Sequence, residues 1–192
     1  MYVTDDLIRE MERRFGVPAF RKFQIPSTRP EVERIISSQR DGRNHDATLY
    51  VRKGSQVVVI SKHAYPPGLF RAPSGGLHPG EDFMTGINRE IAEEIGCEIE
   101  LKKFLLRTAV DFNAEDGSGK TVFWRSFVFL ADYVRGDFNF TDHHEIREVR
   151  LADWSEFATF GAIMRQLAWG GLIYRAQLHE AVADLLPDPA QA

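Results

Sequence analysis

The chain has 192 residues, enough for one large domain with its own core, and its 43% apolar and 27% charged residues are an ordinary globular balance. The formal net charge is −4, which argues against a nucleic-acid partner, because backbone binding calls for a basic stripe. A small anionic substrate stays compatible with that charge, since a bound cation reverses the local field.

Residues 4 to 15 read as a helix, with Leu7, Ile8, Met11 and Phe15 at three- and four-residue intervals. Two early aspartates and the lack of an apolar core speak against a signal peptide there. A second short helix is expected from Ser27-Thr28-Arg29-Pro30, a cap followed by proline, with Val32, Ile35 and Ile36 as its buried face. Ser37 to Asp46 reads as a polar connector. Thr48–Val51 and Gln56–Ser61 then flank Arg52-Lys53-Gly54-Ser55 as a hairpin. Tyr65-Pro66-Pro67-Gly68 breaks the chain, and a short apolar piece, Leu69 to Ala72, leads into a glycine-rich loop.

Residues 82 to 95 are expected to be helical, with Ile87, Ile91 and Ile95 on one apolar face and Gly96 as the stop. Strands are expected at Ile99–Leu101, Phe104–Phe112, Thr121–Tyr133 and Glu145–Leu151, with a turn at Glu115 to Gly119. Residues 155 to 186 read as helix, interrupted at Gly170-Gly171, and 187 to 192 as a frayed tail. The implied class is α/β (α+β): helices around a mixed sheet, with a helical N-terminal extension over 1–44, a main domain over 45–186 and helical segments at both ends. No run approaches 18 apolar residues, so no membrane partner is expected. The single cysteine, Cys97, excludes an intrachain disulfide and suits a reducing, cytoplasmic setting.

The informative stretch is PSGGLHPGEDFMTGINREIAEEIGC, residues 73 to 97. Glu90, Glu93 and Glu94 stand at i, i+3 and i+4 on one helix, a spacing that puts them on a common face. Each like-charged pair costs about 0.2–0.5 kcal/mol even on an exposed helix. A divalent cation would convert that repulsion into attraction, and oxygen ligands favour Mg²⁺ or Mn²⁺. Ser74, Gly75 and Gly76 let backbone approach a ligand and offer carbonyl ligands. Arg89 can orient a carboxylate by a forked pair. A solvated acidic helix after a glycine loop would explain any one of these residues, but not the whole spacing.

This segment resembles the Nudix box: Gly75, five residues, Glu81, seven residues, Arg89-Glu90, apolar Ile91, any residue, Glu93-Glu94, any residue, Gly96 and apolar Cys97. The resemblance implies an α/β/α sandwich over residues 45 to about 155 and divalent-metal-dependent hydrolysis of a phosphoanhydride bond in a nucleoside-diphosphate-like substrate. It further implies that Glu90, Glu93 and Glu94 bind Mg²⁺ or Mn²⁺, with Ser74 lending a carbonyl. Glu81 would be a further ligand or a partner of Arg89. Ser74 stands where many members have glycine, a change that backbone coordination tolerates. For the carboxylate that deprotonates the attacking water, Glu93 and Glu94 compete with Glu145, which lies outside the box in a loop just before a strand. A solvated Glu145 is the competing reading.

Arg71 is expected to reach a substrate phosphate, with Gly75 and Gly76 close to the substrate and Lys62, His63 and Tyr65 as further cleft candidates. Phe112, Phe123, Trp124 and Phe127 include candidates for base stacking, although alternation along a strand sends about half of them to the core. His143 and His144 are expected in solvent, and Cys97 in the core. Signatures of the ADP-ribose, dinucleoside-polyphosphate, coenzyme A and NADH subfamilies are missing, so the substrate stays open among nucleotides. Two alternatives stand beside the hydrolase: a catalytically silent Nudix module that binds a nucleotide or a protein, and an enzyme of non-nucleotide diphosphates or RNA ends. A homodimer is the expected assembly on general grounds, with Phe20, Phe23 and Ile25 as apolar surface.

Overall fold

A computed structural model describes residues 3–39 and 42–186. The elements in order are α1 (Asp5–Phe15), β1 (Ala19–Ser27), α2 (Arg29–Ser38), β2 (His45–Lys53), β3 (Gln56–Lys62), β4 (Ser74–Gly75), α3 (Phe83–Ile95), β5 (Cys97–Ala114), β6 (Thr121–Gly136), β7 (Ile146–Asp153), α4 (Glu156–Leu167) and α5 (Gly170–Leu185). Seven strands form one mixed sheet in the order β1-β5-β6-β2-β3-β7, with the short β4 on β2. The pairs β1–β5 and β2–β6 are parallel and the others antiparallel.

Side chains of the central strands alternate between two cores. Tyr50, Val57, Val59, Val128 and Leu130 join the core beneath α2, α4 and α5. Leu49, Val51, Val58, Ile60, Phe127 and Phe129 join the core beneath α1 and α3. A period of two with both faces apolar is what a sheet sandwiched between helical layers requires. The mixed α/β class is therefore as expected. No helix among the described residues is long and apolar enough to cross a membrane.

Helix α1 begins as its sequence dictates: the Thr4 hydroxyl accepts the Leu7 N–H at 3.2 Å, with aspartates in the first turn and arginines in the last. Helix α2 starts after Thr28 as expected, but of its proposed apolar face only Val32 is fully buried, and Ile36 is 47% exposed.

The helical extension expected over 1–44 also contains a strand, β1, which runs parallel to β5 from Ala19 to Ser27. Its pattern was hidden because β1 is an edge strand. An edge tolerates Arg21, Lys22 and Pro26, which argue against a strand when read along the sequence. Ile25 is fully buried there, while Phe20 stays exposed. The two strands expected on either side of Lys102-Lys103 are one strand, β5, with register shifts against β6 in that region. Bulges, not a loop, interrupt the apolar alternation. The break in the C-terminal helices falls at Ala168-Trp169, two residues ahead of the expected glycines. The expected frayed tail, 187–192, lies outside the described residues.

Gly96 ends α3 in a left-handed conformation at φ 62°, and a Cβ there would lie 2.3 Å from the Asn139 carbonyl carbon. Backbone cannot yield as a flexible side chain can. Gly96→Ala is expected to cost about 2 kcal/mol or more, read as a fall in the urea midpoint at unchanged m-value.

Candidate active site

Helix α3 is fixed by its apolar side. Ile87, Ile91 and Ile95 are buried in the core below it, and the Asp82 carboxylate caps its first turn by accepting the Thr85 N–H at 3.1 Å. The acidic side faces the loop 74–81. Arg89 spans the gap with all five guanidinium N–H groups. Nε and Nη2 donate to the two Glu81 oxygens at 2.9 and 3.0 Å, and Nη2 also donates to the Gly76 carbonyl at 3.0 Å. Nη1 serves Glu90 at 2.9 Å and Glu93 at 3.1 Å. This forked pair holds the Glu81 carboxyl down to about 2.

The expected three-carboxylate face is therefore divided. Glu93 lies beside Arg89 with its side chain 47% exposed, and neither it nor Glu81 lines the cleft described below. Glu90 packs over Gly75, where a Cβ would be 1.9 Å from its Oε2, and accepts the Gly76 N–H at 3.2 Å. Glu94 turns inward, is buried, and accepts the Ser74 N–H at 3.0 Å. Burial pushes its carboxyl up to about 7, against the pull of Arg71 and Lys62, and burial also raises that of Glu90.

Glu145 reaches the same place by a backbone route. The Glu93 carbonyl, near the C-terminal end of α3, accepts the N–H groups of Thr141 and Asp142, each at 3.0 Å. The Asp142 carboxylate accepts the Glu145 N–H at 3.1 Å, and the Glu145 carbonyl accepts the His63 N–H at 3.1 Å. Its carboxylate pairs with the Lys62 ammonium. Burial, and then Arg71, lower the Lys62 pKa. His143 and His144 are exposed, as expected.

Arg71, expected to reach a substrate phosphate, lines the cleft from a nearly buried position. It is 3% exposed and donates to the Tyr65 hydroxyl at 3.2 Å, the Ala72 carbonyl at 2.7 Å and Ser74 Oγ at 2.8 Å, with Glu94 3.9 Å away. A second guanidinium, which the sequence did not single out, meets the same hydroxyl. Arg175 of α5 donates to Ser74 Oγ at 3.1 Å and Thr48 Oγ1 at 2.8 Å, and pairs with buried Asp46. A glycine at 74 would leave these two donors without that acceptor. The serine thus joins α5 to the loop that carries the Glu94 contact.

These groups line a cleft of about 540 Å³. Glu90, Glu94, Glu145, Lys62 and Arg71 stand at one end, with Ser74, Gly75 and Gly76 beside them. Phe112, Trp124, Tyr174, Arg43 and residues of α2 and α5 complete it. Of the proposed stacking residues, Phe112 and Trp124 border the cleft, Phe127 is in the opposite core, and Phe123 is 42% exposed. Cys97 is buried in the core, as expected. Among the described residues no three acidic, histidine or cysteine side chains converge tightly enough to cage an ion as they stand.

A family model for the NUDIX domain matches residues 42–170. Curated relatives include the NAD-capped RNA hydrolase NudC of Vibrio parahaemolyticus, 28% identical over 141 residues, which cover 72% of this chain and 46% of that protein. NudC of Pasteurella multocida is 26% identical over 109 residues, 56% of this chain and 36% of that one. The chain thus spans less than half the length of these relatives. Similar solved structures include a C. elegans Ap4A hydrolase, 16% identical, covering 76% of this chain and 98% of that one with a TM-score of 0.48. A NUDIX hydrolase from Nitrosomonas europaea is 18% identical, with 62% and 78% coverage and a TM-score of 0.47.

The buried charges can be tested directly. Arg175→Met leaves Asp46 buried without its cation and is expected to cost about 3–5 kcal/mol, measured by denaturant unfolding. Glu94 has a folded-state pKa near 7 against an ordinary 4.5, so between those values the unfolded chain releases a proton that the folded one keeps. Folding stability in EDTA should therefore fall as pH rises through that window, and Glu94→Gln should remove that part of the slope. An unchanged slope in the variant would refute the assignment.

Proposed function

This chain belongs to the Nudix family, and we propose that it is a divalent-metal-dependent hydrolase of the phosphoanhydride bond in a nucleoside diphosphate linked to another group. The observation that carries this is the convergence of Glu90, Glu94 and Glu145 on one cleft end, beside the Lys62 and Arg71 cations. The donor chemistry fits Mg²⁺ or Mn²⁺. The groups are hard carboxylate oxygens flanked by a glycine loop that leaves its backbone open to approach. Burial raises the pKa of both Glu90 and Glu94, a penalty on their charged forms that a bound cation would offset.

In this reading Glu90 and Glu94 would hold the cation, with Glu145 and the carbonyl of Ser74 as further oxygen donors. When bound, such a cation would polarise a phosphoryl oxygen and make water at the site more acidic. Glu145 accepts the proton of the attacking water. Its side chain is 51% exposed, and so open to solvent, and is held in place by its pairing with Lys62. The new P–O bond forms from that water, and the bond to the bridging oxygen breaks. The departing phosphate leaves with the electron pair. Glu81 and Glu93 act through Arg89, which sets the orientation of Glu90.

The intact carboxylates favour this reading over a silent binding module. The curated relatives carry the name NAD-capped RNA hydrolase, which supports a nucleotide-containing substrate here. The test is a panel of nucleoside-diphosphate conjugates with Mg²⁺, scored for release of a nucleoside monophosphate. Glu145→Gln should lower kcat by about 10²–10⁴ with little change in KM, the range for loss of a general base. Glu90→Gln should instead raise the Mg²⁺ concentration needed for half-maximal rate. Turnover that is insensitive to EDTA would overturn the proposal.

A further inference from the structure

Ser74 stands where many chains with this motif have glycine, and the function above uses only its carbonyl. Its side chain lies between two guanidiniums. Arg71 Nη1 donates to the hydroxyl at 2.8 Å and Arg175 Nη2 at 3.1 Å. Two donors occupy both lone pairs of that oxygen. Each guanidinium also faces a carboxylate: Arg71 stands 3.9 Å from Glu94, and Arg175 pairs with Asp46. One hydroxyl therefore connects two largely buried ion pairs, one at the acidic end of the cleft and one on α5. The backbone there has little else to hold it. Strand β4 consists of Ser74 and Gly75 alone and pairs with β2 at Thr48 and Ala47, shorter than an ordinary strand. Arg175 Nη1 donates to Thr48 Oγ1 at 2.8 Å while Nη2 reaches Ser74, so its fork straddles two residues paired across that ladder. The N–H of the same Ser74 is the one that Glu94 accepts, at 3.0 Å.

We infer that Ser74 is a positioning residue: through its hydroxyl, Arg175 and Arg71 hold the Ser74 N–H on the Glu94 carboxylate, so that helix α5 sets where that carboxylate stands. The consequence for a cation rests on the reading that Glu94 helps to hold one. Groups that orient a ligating carboxylate from behind change metal affinity by about 10–100-fold when they are removed. Alanine at 74 keeps the N–H and the carbonyl and removes only the hydroxyl. Arg71 and Arg175 then lose their shared acceptor, and β4 loses its tie to α5. A hydroxyl that merely satisfied two buried donors would behave differently. Its loss would cost stability and leave the contact between the Ser74 N–H and Glu94 as it was.

Hydrogen exchange of the residue-74 amide, followed by NMR in the metal-free protein, reads that contact directly. Ser74→Ala should speed this exchange by about tenfold or more while the β2 amides keep their protection. Arg175→Lys keeps a cation beside Asp46 but loses the fork, and should act in the same way. Ser74→Thr retains the hydroxyl and should retain the protection. The double variant, Ser74→Ala with Arg175→Lys, should exchange no faster than either single one, because both remove the same hold. Calorimetric titration with Mn²⁺ should show Ser74→Ala binding about tenfold more weakly, with Glu94→Gln marking the loss of the carboxylate itself. Unchanged exchange in Ser74→Ala, additive effects in the double variant, or faster exchange spread over the whole sheet would overturn the inference. Lost protection at residue 74 in a protein without Glu94-dependent Mn²⁺ binding would uphold the positioning role and sink the metal reading. Glu94-dependent Mn²⁺ binding that Ser74→Ala leaves untouched would do the reverse.

Discussion

The acidic end of the cleft depends on Arg89. Four carboxylates crowd one helix and the loop before it, and a guanidinium is the side chain whose donors can serve several at fixed angles. Arg89 uses every N–H it has, on Glu81, Glu90, Glu93 and the Gly76 carbonyl. Two consequences follow. The loop is drawn to within hydrogen-bond reach of α3, so that Glu90 and Arg43 fill the space where side chains on Gly75 and Gly76 would lie. Glu81 and Glu93 are also paired outside the cleft, which leaves Glu90 and Glu94 as the box carboxylates that face it. A lysine has three donors on one atom and could not reach Glu81, Glu90, Glu93 and the Gly76 carbonyl together.

The far end of α3 solves a different problem with backbone. A helix leaves its last carbonyls without partners. Here the Glu93 carbonyl is taken by the N–H groups of Thr141 and Asp142, and Gly96 allows Asn139 to come within contact of the helix stop. Docking the loop in this way carries Glu145 to the carboxylate end. In sequence, the whole of β5 and β6 separates Glu145 from α3, and it is the return of the chain along that antiparallel pair that brings the loop back to the helix.

What the sequence disclosed followed from periodicity and spacing. The apolar face of α3, its stop at Gly96 and the acidic side opposite were legible because one helix contains them all. The division of labour among the glutamates was not, since 3.6 residues per turn puts Glu90, Glu93 and Glu94 on one side without saying which of them Arg89 takes. Strand β1 was illegible because edge position, not pattern, makes its charges and Pro26 acceptable. Arg175 was missed for a similar reason: within the helical run after residue 155 it looks like a solvated cation, and only the packing of α5 against β2 puts it beside Asp46, Thr48 and Ser74.

The two terminal segments also depend on each other. The Glu31 carboxylate accepts the Thr28 N–H and hydroxyl at the start of α2, each at 2.8 Å, and the Gly170 N–H at the start of α5, also at 2.8 Å. One side chain therefore caps two helices, and negative charge at both N-termini is favourable. Gly170 has no space for a Cβ, which would lie 2.1 Å from Ser27 Oγ, so β1, α2 and α5 meet at a point of close contact. From that point α2 extends Arg34, Ile35 and Ser38, and α5 extends Gly171, Tyr174 and Arg175, along the cleft. A change at Glu31 would loosen both walls together while leaving Arg89 and its carboxylates in place. The walls that α2 and α5 give the cleft are thus built separately from the Arg89 network that fixes its acidic end.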